Sequence, residues 1–201
     1  MSKRQLLATI ISTIGNPMVI GLFFGGYLYF FNHDADTYKA LPLTFSVFVV
    51  FPIFAFTSYK VYRKEFEDYD VSDQIKRNQL YLFVLLVFLV LNVFMYFKAY
   101  PLKALLLGAF IFLHILASYL FNTRIKVSMH TSFAFLFAFF FYPINPAIGI
   151  GLFIFAFINA WSRLVLGRHS SSEVQVGGMI GLINGSLYLI LFYYLLSKNL
   201  L

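Results

Sequence analysis

Apolar and polar positions fall in long blocks rather than in the short alternation of a soluble fold. Asp, Glu, Lys and Arg are missing from Gln5–His33, Ala40–Tyr59, Asn78–Phe97, Ala104–Thr123, Val127–Ser162 and Val174–Ser197. A helix needs about 20 residues to cross the hydrocarbon layer of a bilayer, and every block meets that length. The longest, Val127–Ser162, holds Pro143-Ile144-Asn145-Pro146 at its middle, and the other five are each one helix long. Two prolines around an asparagine form a turn, because proline lacks the amide donor and clashes with the preceding helical turn. Seven segments follow, near Leu6–Phe31, Leu41–Tyr62, Leu80–Tyr100, Leu102–Phe121, Met129–Tyr142, Ala147–Trp161 and Val174–Leu196, or six crossings if one short segment is re-entrant. The pattern predicts an all-α protein, a polytopic transmembrane bundle of six to seven helices.

Composition points the same way. The chain is 61% hydrophobic, 21% aromatic and 11% charged, where soluble domains run at roughly half apolar and a quarter charged. A core of this size has no room for the excess. The aqueous loops are too short for a separate soluble domain, so residues 1–201 are expected to form a single integral membrane domain. The absence of cysteine excludes disulfides, thiolate metal sites and thiol nucleophiles. Ser2-Lys3-Arg4 followed by an apolar run resembles a signal sequence, but no small-residue cleavage site follows, and it reads as an uncleaved anchor. Phenylalanine is expected to face lipid and tyrosine to mark the interfaces. Gly177, Gly181 and Gly185, like Gly21 and Gly25, recur every four residues and predict close helix packing within the chain, with a homo-oligomer face as the other use of that spacing.

The net charge of +7 comes from basic residues at helix ends, the signature of membrane topology and headgroup contact rather than of a nucleic-acid groove. With seven crossings, one side holds Lys3, Arg4, Lys60, Arg63, Lys64, Lys76, Arg77, Arg124, Lys126, Arg163 and Arg168, leaving Lys39, Lys98, Lys103 and Lys198 opposite. The positive-inside rule places the richer side in the cytoplasm.

That side also holds the residues capable of chemistry: Tyr69–Arg77, Lys126–His130 and Ser162–Glu173. Ionisable groups at the mouth of a membrane bundle are functional candidates by default. His169 and Glu173 are four apart and share a face if the last helix begins there; a carboxylate on an imidazole fixes its tautomer and supports positive charge as the other nitrogen reacts. Arg163 and Arg168 match phosphate oxygens in bidentate geometry. Ser170–Ser172 are placed to cap the following helix, whose N-terminus favours an anion. His130, with Lys126 and Ser128 beside it, supplies a second imidazole. Two histidines among cations suit in-line phosphoryl transfer, one attacking and the other protonating the leaving oxygen.

These residues resemble the type-2 phosphatidic acid phosphatases, the membrane branch of the superfamily that includes the vanadium haloperoxidases. The family's third motif, S-R-x5-H-x3-D, is matched in spacing by Ser162-Arg163, His169 and Glu173, with Glu for Asp. Its second motif, P-S-G-H, meets Val127-Ser128-Met129-His130 at Ser and His. Its first motif, K-x6-R-P, places Arg77 at the arginine, with Asp70 at the lysine and Asn78 at the proline. Val71-Ser72-Asp73 is similar to a variant first motif of small bacterial members. The resemblance covers about residues 70–181, and the third motif is its specific part.

The resemblance implies a haloperoxidase-like phosphatase core in a bacterial inner or plasma membrane. It implies hydrolysis of a lipid phosphate or diphosphate, of prenyl diphosphate or phosphatidate type. His169 would be the nucleophile that forms a phosphohistidine, Glu173 its orienting carboxylate, and His130 the general acid and later base. Arg163, Ser128 and Arg77 would hold phosphate oxygens, with Lys126 or Arg168 covering for the missing lysine. No metal and no cofactor is implied. Glu173 is one methylene longer than the family's Asp, and Met129 lacks the backbone freedom of the family's Gly. The same residues would serve a phosphotransferase with a second lipid or alcohol as acceptor. A chain that kept the fold with a lapsed site would bind or transport a lipid or anion. Outside the motifs, Asp73 is expected to cap the next helix, and Arg63–Asp70 to be a solvated face. His114 is expected to make an interhelical hydrogen bond, with a proton relay as the other role for an ionisable residue at that depth.

Overall fold

The computed structural model describes residues 2–31, 41–71 and 73–201; Lys39 and Ser72, used above, lie outside them. The described residues form helices α1 (Lys3–Ile14), α2 (Pro17–Phe31), α3 (Leu41–Tyr62), α4 (Gln74–Phe97), α5 (Leu102–Asn122), α6 (Met129–Phe141), α7 (Pro146–Val165) and α8 (Ser171–Ser197). Five of them, α3, α4, α5, α7 and α8, are long and apolar enough to cross a membrane, and the pair α1–α2 makes a sixth if it counts as one span. These are the dimensions of an integral membrane protein.

Two of the seven expected segments differ from a simple crossing. Leu6–Phe31 is not one helix: it breaks at Gly15-Asn16, and the two halves meet at 51°. Pro17 opens α2 without an amide donor, Gly15 caps α1, and the Asn16 side chain accepts from Met18 N at 2.9 Å. The other is α6, whose 13 residues give about 20 Å, too short to span. In α3 the expected boundaries hold, but Ser46–Val50 widens to a π-turn that ends two residues before Pro52, whose ring has no amide to donate.

The chain divides into two compact units, Met1–Phe24 with Ile125–Leu201, and Gly25–Arg124. The motif-bearing stretch of about residues 70–181 runs through both. In the first unit α6 is the centre. It runs antiparallel to α7 and parallel to α8, and α7 packs antiparallel to α1. The turn between α6 and α7 is the proline turn expected: Asn145 caps α7 through Ile148 N at 3.3 Å and Pro146 opens it. Phe133, Phe135, Phe137, Phe140 and Phe141 are all buried, so the aromatic run of α6 is core and not lipid-facing surface. A helix that is apolar all round has this fate when neighbours cover every side. Phe24 lies against Phe137, Phe140 and Phe141, and Phe140 meets Tyr188 of α8 edge-on at 4.6 Å.

The close approach of α8 to α6 depends on glycine. A Cβ at Gly177 would stand 2.6 Å from the carbonyl oxygen of Ser128, one at Gly181 would collide with that of Ser132, and one at Gly185 with the Phe139 ring. The four-residue glycine spacing is therefore an internal packing face.

In the second unit α3, α4 and α5 run up, down and up. Phe56 stacks on Phe83 at 4.1 Å, and Thr44 shares a hydrogen bond with the Tyr100 hydroxyl at 2.8 Å. Asp73 caps α4, accepting from Ile75 N and Lys76 N at 2.8 and 2.9 Å, the role its position predicts.

Candidate functional site

The third polar loop is built by two helix ends in close succession. Gly167, at φ +62°, closes α7: its amide reaches Leu164 O, and Arg168 N reaches Arg163 O, both at 3.1 Å. Ser170 then caps α8 in a capping box, its hydroxyl accepting from Glu173 N at 3.4 Å while Glu173 Oε2 accepts from Ser170 N at 3.2 Å. This folds the Glu173 side chain back over the helix start. His169, buried and just outside the helix, places Nδ1 2.8 Å from the same Glu173 Oε2. The spacing predicted this pair through a shared helix face. The helix begins two residues later, and the capping box makes the contact instead. With Glu173 ionised, His169 Nδ1 carries the proton and donates it. The helix N-terminus favours that negative charge.

The second loop joins the third. Lys126 Nζ donates to Arg168 O at 3.0 Å, and Ser128 N donates to Glu173 O at 3.3 Å. His169, Glu173, Lys126, Ser128 and the start of α6 thus gather at one end of the unit. His130, in the first turn of α6, is buried. Met129 is the first helical residue and has no positive φ, so the backbone there requires no glycine. Ser128 is fully buried, and its hydroxyl pairs with that of Thr131 at 3.0 Å. Arg168 is exposed, with its backbone engaged by Lys126.

Arg163, in the last turn of α7, is also buried. Its Nη1 donates to Ser12 Oγ of α1 at 2.6 Å. One turn earlier on the same helix the fully buried Asn159 donates from Nδ2 to His130 O at 2.9 Å and to Gly15 O at 3.2 Å, and its backbone carbonyl accepts from Ser162 Oγ at 2.6 Å. Neither Ser12 nor Asn159 belongs to an expected motif. The signal for Asn159 was available: a lone amide inside the apolar run 147–161, where polar side chains join helices. Ser12 carries no distinguishing mark. Replacing Asn159 by Leu removes both bonds and is expected to lower stability by about 2 kcal/mol. Thermal unfolding in detergent measures this, and an unchanged midpoint would show that the amide does not tie α1 to α6.

Arg77 lies in the second unit. It is buried near the start of α4, its Nε donating to Val71 O at 3.0 Å and its Nη2 to Asp70 O at 3.4 Å. Val71 is buried and held at φ +46°, a conformation that a β-branched residue adopts only when its surroundings enforce it. The guanidinium thus clamps the turn preceding its own helix.

Chemically, the first unit offers an imidazole polarised by a carboxylate, a second buried imidazole at the start of α6, and a buried guanidinium in the last turn of α7. Among the described residues no three His, Asp or Glu side chains are grouped to hold a metal ion. No protein-family model matches the chain, and neither a characterised protein nor a solved structure does.

Proposed function

We propose that the chain is a membrane-embedded phosphatase of the type-2 phosphatidic acid phosphatase kind. It would remove phosphate from an amphipathic lipid phosphate or diphosphate whose tail stays in the bilayer. The observation that carries this reading is the 2.8 Å contact of the buried His169 with the half-buried Glu173, set at the end of α7 that holds the buried Arg163. With Nδ1 engaged by Glu173, the nucleophilic lone pair belongs to Nε2. Attack forms the Nε2–phosphorus bond and breaks the bond from phosphorus to the leaving oxygen, which takes a proton from His130. Water then cleaves the phosphohistidine, giving its proton to His130 and releasing phosphate. Arg163 neutralises charge on the equatorial oxygens. By the positive-inside rule this chemistry would face the cytoplasm.

One observation favours binding without turnover: the Ser128 hydroxyl and amide are both engaged inside the protein. Phosphate release from phosphatidate and from a prenyl diphosphate, measured on the purified protein in detergent with and without vanadate, separates the two. The phosphatase reading expects turnover that vanadate suppresses, because vanadate mimics the pentacovalent transition state. Vanadate binding with no turnover across the panel would establish the binder, and turnover insensitive to vanadate would exclude the phosphohistidine route.

A further inference from the structure

The α4–α5 interface carries polar side chains that phosphoryl transfer does not use. On α5, His114, Ser118 and Asn122 recur every four residues, so they line one face, and all three are fully buried. At the end of this stripe Asn122 Nδ2 donates to Gln74 O at 3.2 Å and to Asn78 Oδ1 at 2.9 Å, and Gln74 Nε2 donates to Asn122 O at 2.6 Å. In that register Tyr81 of α4 stands level with Ser118, its ring centroid 6.2 Å from that of Tyr119. Tyr81 too is buried.

Three atoms of this stripe, the Tyr81 hydroxyl, Ser118 Oγ and Asn122 Oδ1, are buried with no hydrogen-bond partner among the described residues. A buried polar atom left unsatisfied costs about 1–3 kcal/mol, and native proteins tolerate few. A helical hydroxyl ordinarily escapes by bonding the carbonyl one turn back, as Thr9, Thr13, Ser46 and Thr57 do here. Ser118 does not. Three such atoms within about two helical turns form a polar site, and a buried water typically takes about three hydrogen bonds from groups of this kind.

We infer that ordered water bridges Asn122 Oδ1, Ser118 Oγ and the Tyr81 hydroxyl. This file runs inward from the α5 terminus to His114, about 12 Å along the helix axis. Its consequence is a mid-helix imidazole in proton exchange with the aqueous side at Asn122. The inference is independent of the phosphatase reading.

Radiolytic hydroxyl-radical footprinting of the intact protein in detergent tests it, because radicals generated from bound water oxidise the side chains beside that water. After normalisation to intrinsic reactivity, Tyr81 and His114 are expected to be oxidised roughly tenfold faster than Phe88 and Phe110, buried on the same helices beyond the inner end of the file. Asn122→Leu, which matches the amide in size without its polarity, should bring both down to the Phe88 level, and Ser118→Ala should lower His114 while the Asn122 end stays intact. Labelling of Tyr81 and His114 at the Phe88 level in the unsubstituted protein overturns the inference, and so does His114 labelling that both variants leave unchanged. If Asn122→Leu does not fold, Ser118→Ala and the unsubstituted protein decide.

Discussion

His169→Ala is expected to abolish lipid-phosphate hydrolysis, lowering kcat by roughly a thousandfold or more, the scale seen when a covalent nucleophile is removed. The companion substitution is Glu173→Gln. Glu173 has two tasks that a truncation would confound: it closes the capping box with Ser170 and it holds His169 Nδ1. Glutamine keeps an acceptor oxygen for the Ser170 amide, and capping boxes accept it, so the melting temperature should change little. It removes the negative charge that, in the proposed mechanism, would support the imidazole in attack, and kcat should fall roughly a hundredfold or more. Ser170→Ala is the reverse case. It deletes the cap, at a cost of about 1 kcal/mol in stability, without touching the imidazole. Rates of phosphate release and unfolding midpoints for the three variants, read together, divide chemistry from scaffolding. Full turnover in His169→Ala would overturn the mechanism. Full turnover in Glu173→Gln would reduce Glu173 to a helix cap.

The parts of this structure legible in the sequence are those governed by local physics. Lipid exclusion demands apolar runs of helical length, and the runs at 41–62 and 102–121 are helices at nearly the expected boundaries. Pro146, Asn145 and Asp73 act within a turn of their own positions, so their capping roles could be read directly. Covering surfaces were not legible. The phenylalanines of α6 look the same whether lipid or protein lies beyond them, and only the packing of α7 and α8 around that helix decides. The candidate site divides along the same line. His169 and Glu173 are four residues apart, and a device just as local, the capping box of Ser170 and Glu173, brings them together. Arg163 meets Ser12 across 151 residues, and Asn159 meets Gly15 across 144, pairings no local pattern encodes. Arg77 shows the converse: a residue singled out for phosphate holds its own turn at Val71 O.

Gly181→Leu is expected to destabilise the first unit by about 3 kcal/mol, at the upper end of what overpacking usually costs. The reason is what the new side chain would strike. A Cβ at Gly181 meets the Ser132 carbonyl and, at 2.8 Å, the Phe135 Cβ, both fixed parts of α6 that cannot rotate away. Relief requires α8 to move off α6, and α8 carries Glu173, whose carbonyl accepts from Ser128 N. Loss of stability and loss of any turnover should therefore appear together. Gly151→Ala is the control. Nothing lies within 4 Å of a Cβ there, so the substitution only improves helix propensity and should stabilise by up to about 1 kcal/mol. Unfolding midpoints in detergent with size-exclusion profiles distinguish the two uses of the glycine repeat. An internal face gives a lower midpoint at unchanged oligomeric size for Gly181→Leu. A dimer face would give a smaller particle at an unchanged midpoint, because in that case the leucine clashes only with a second copy.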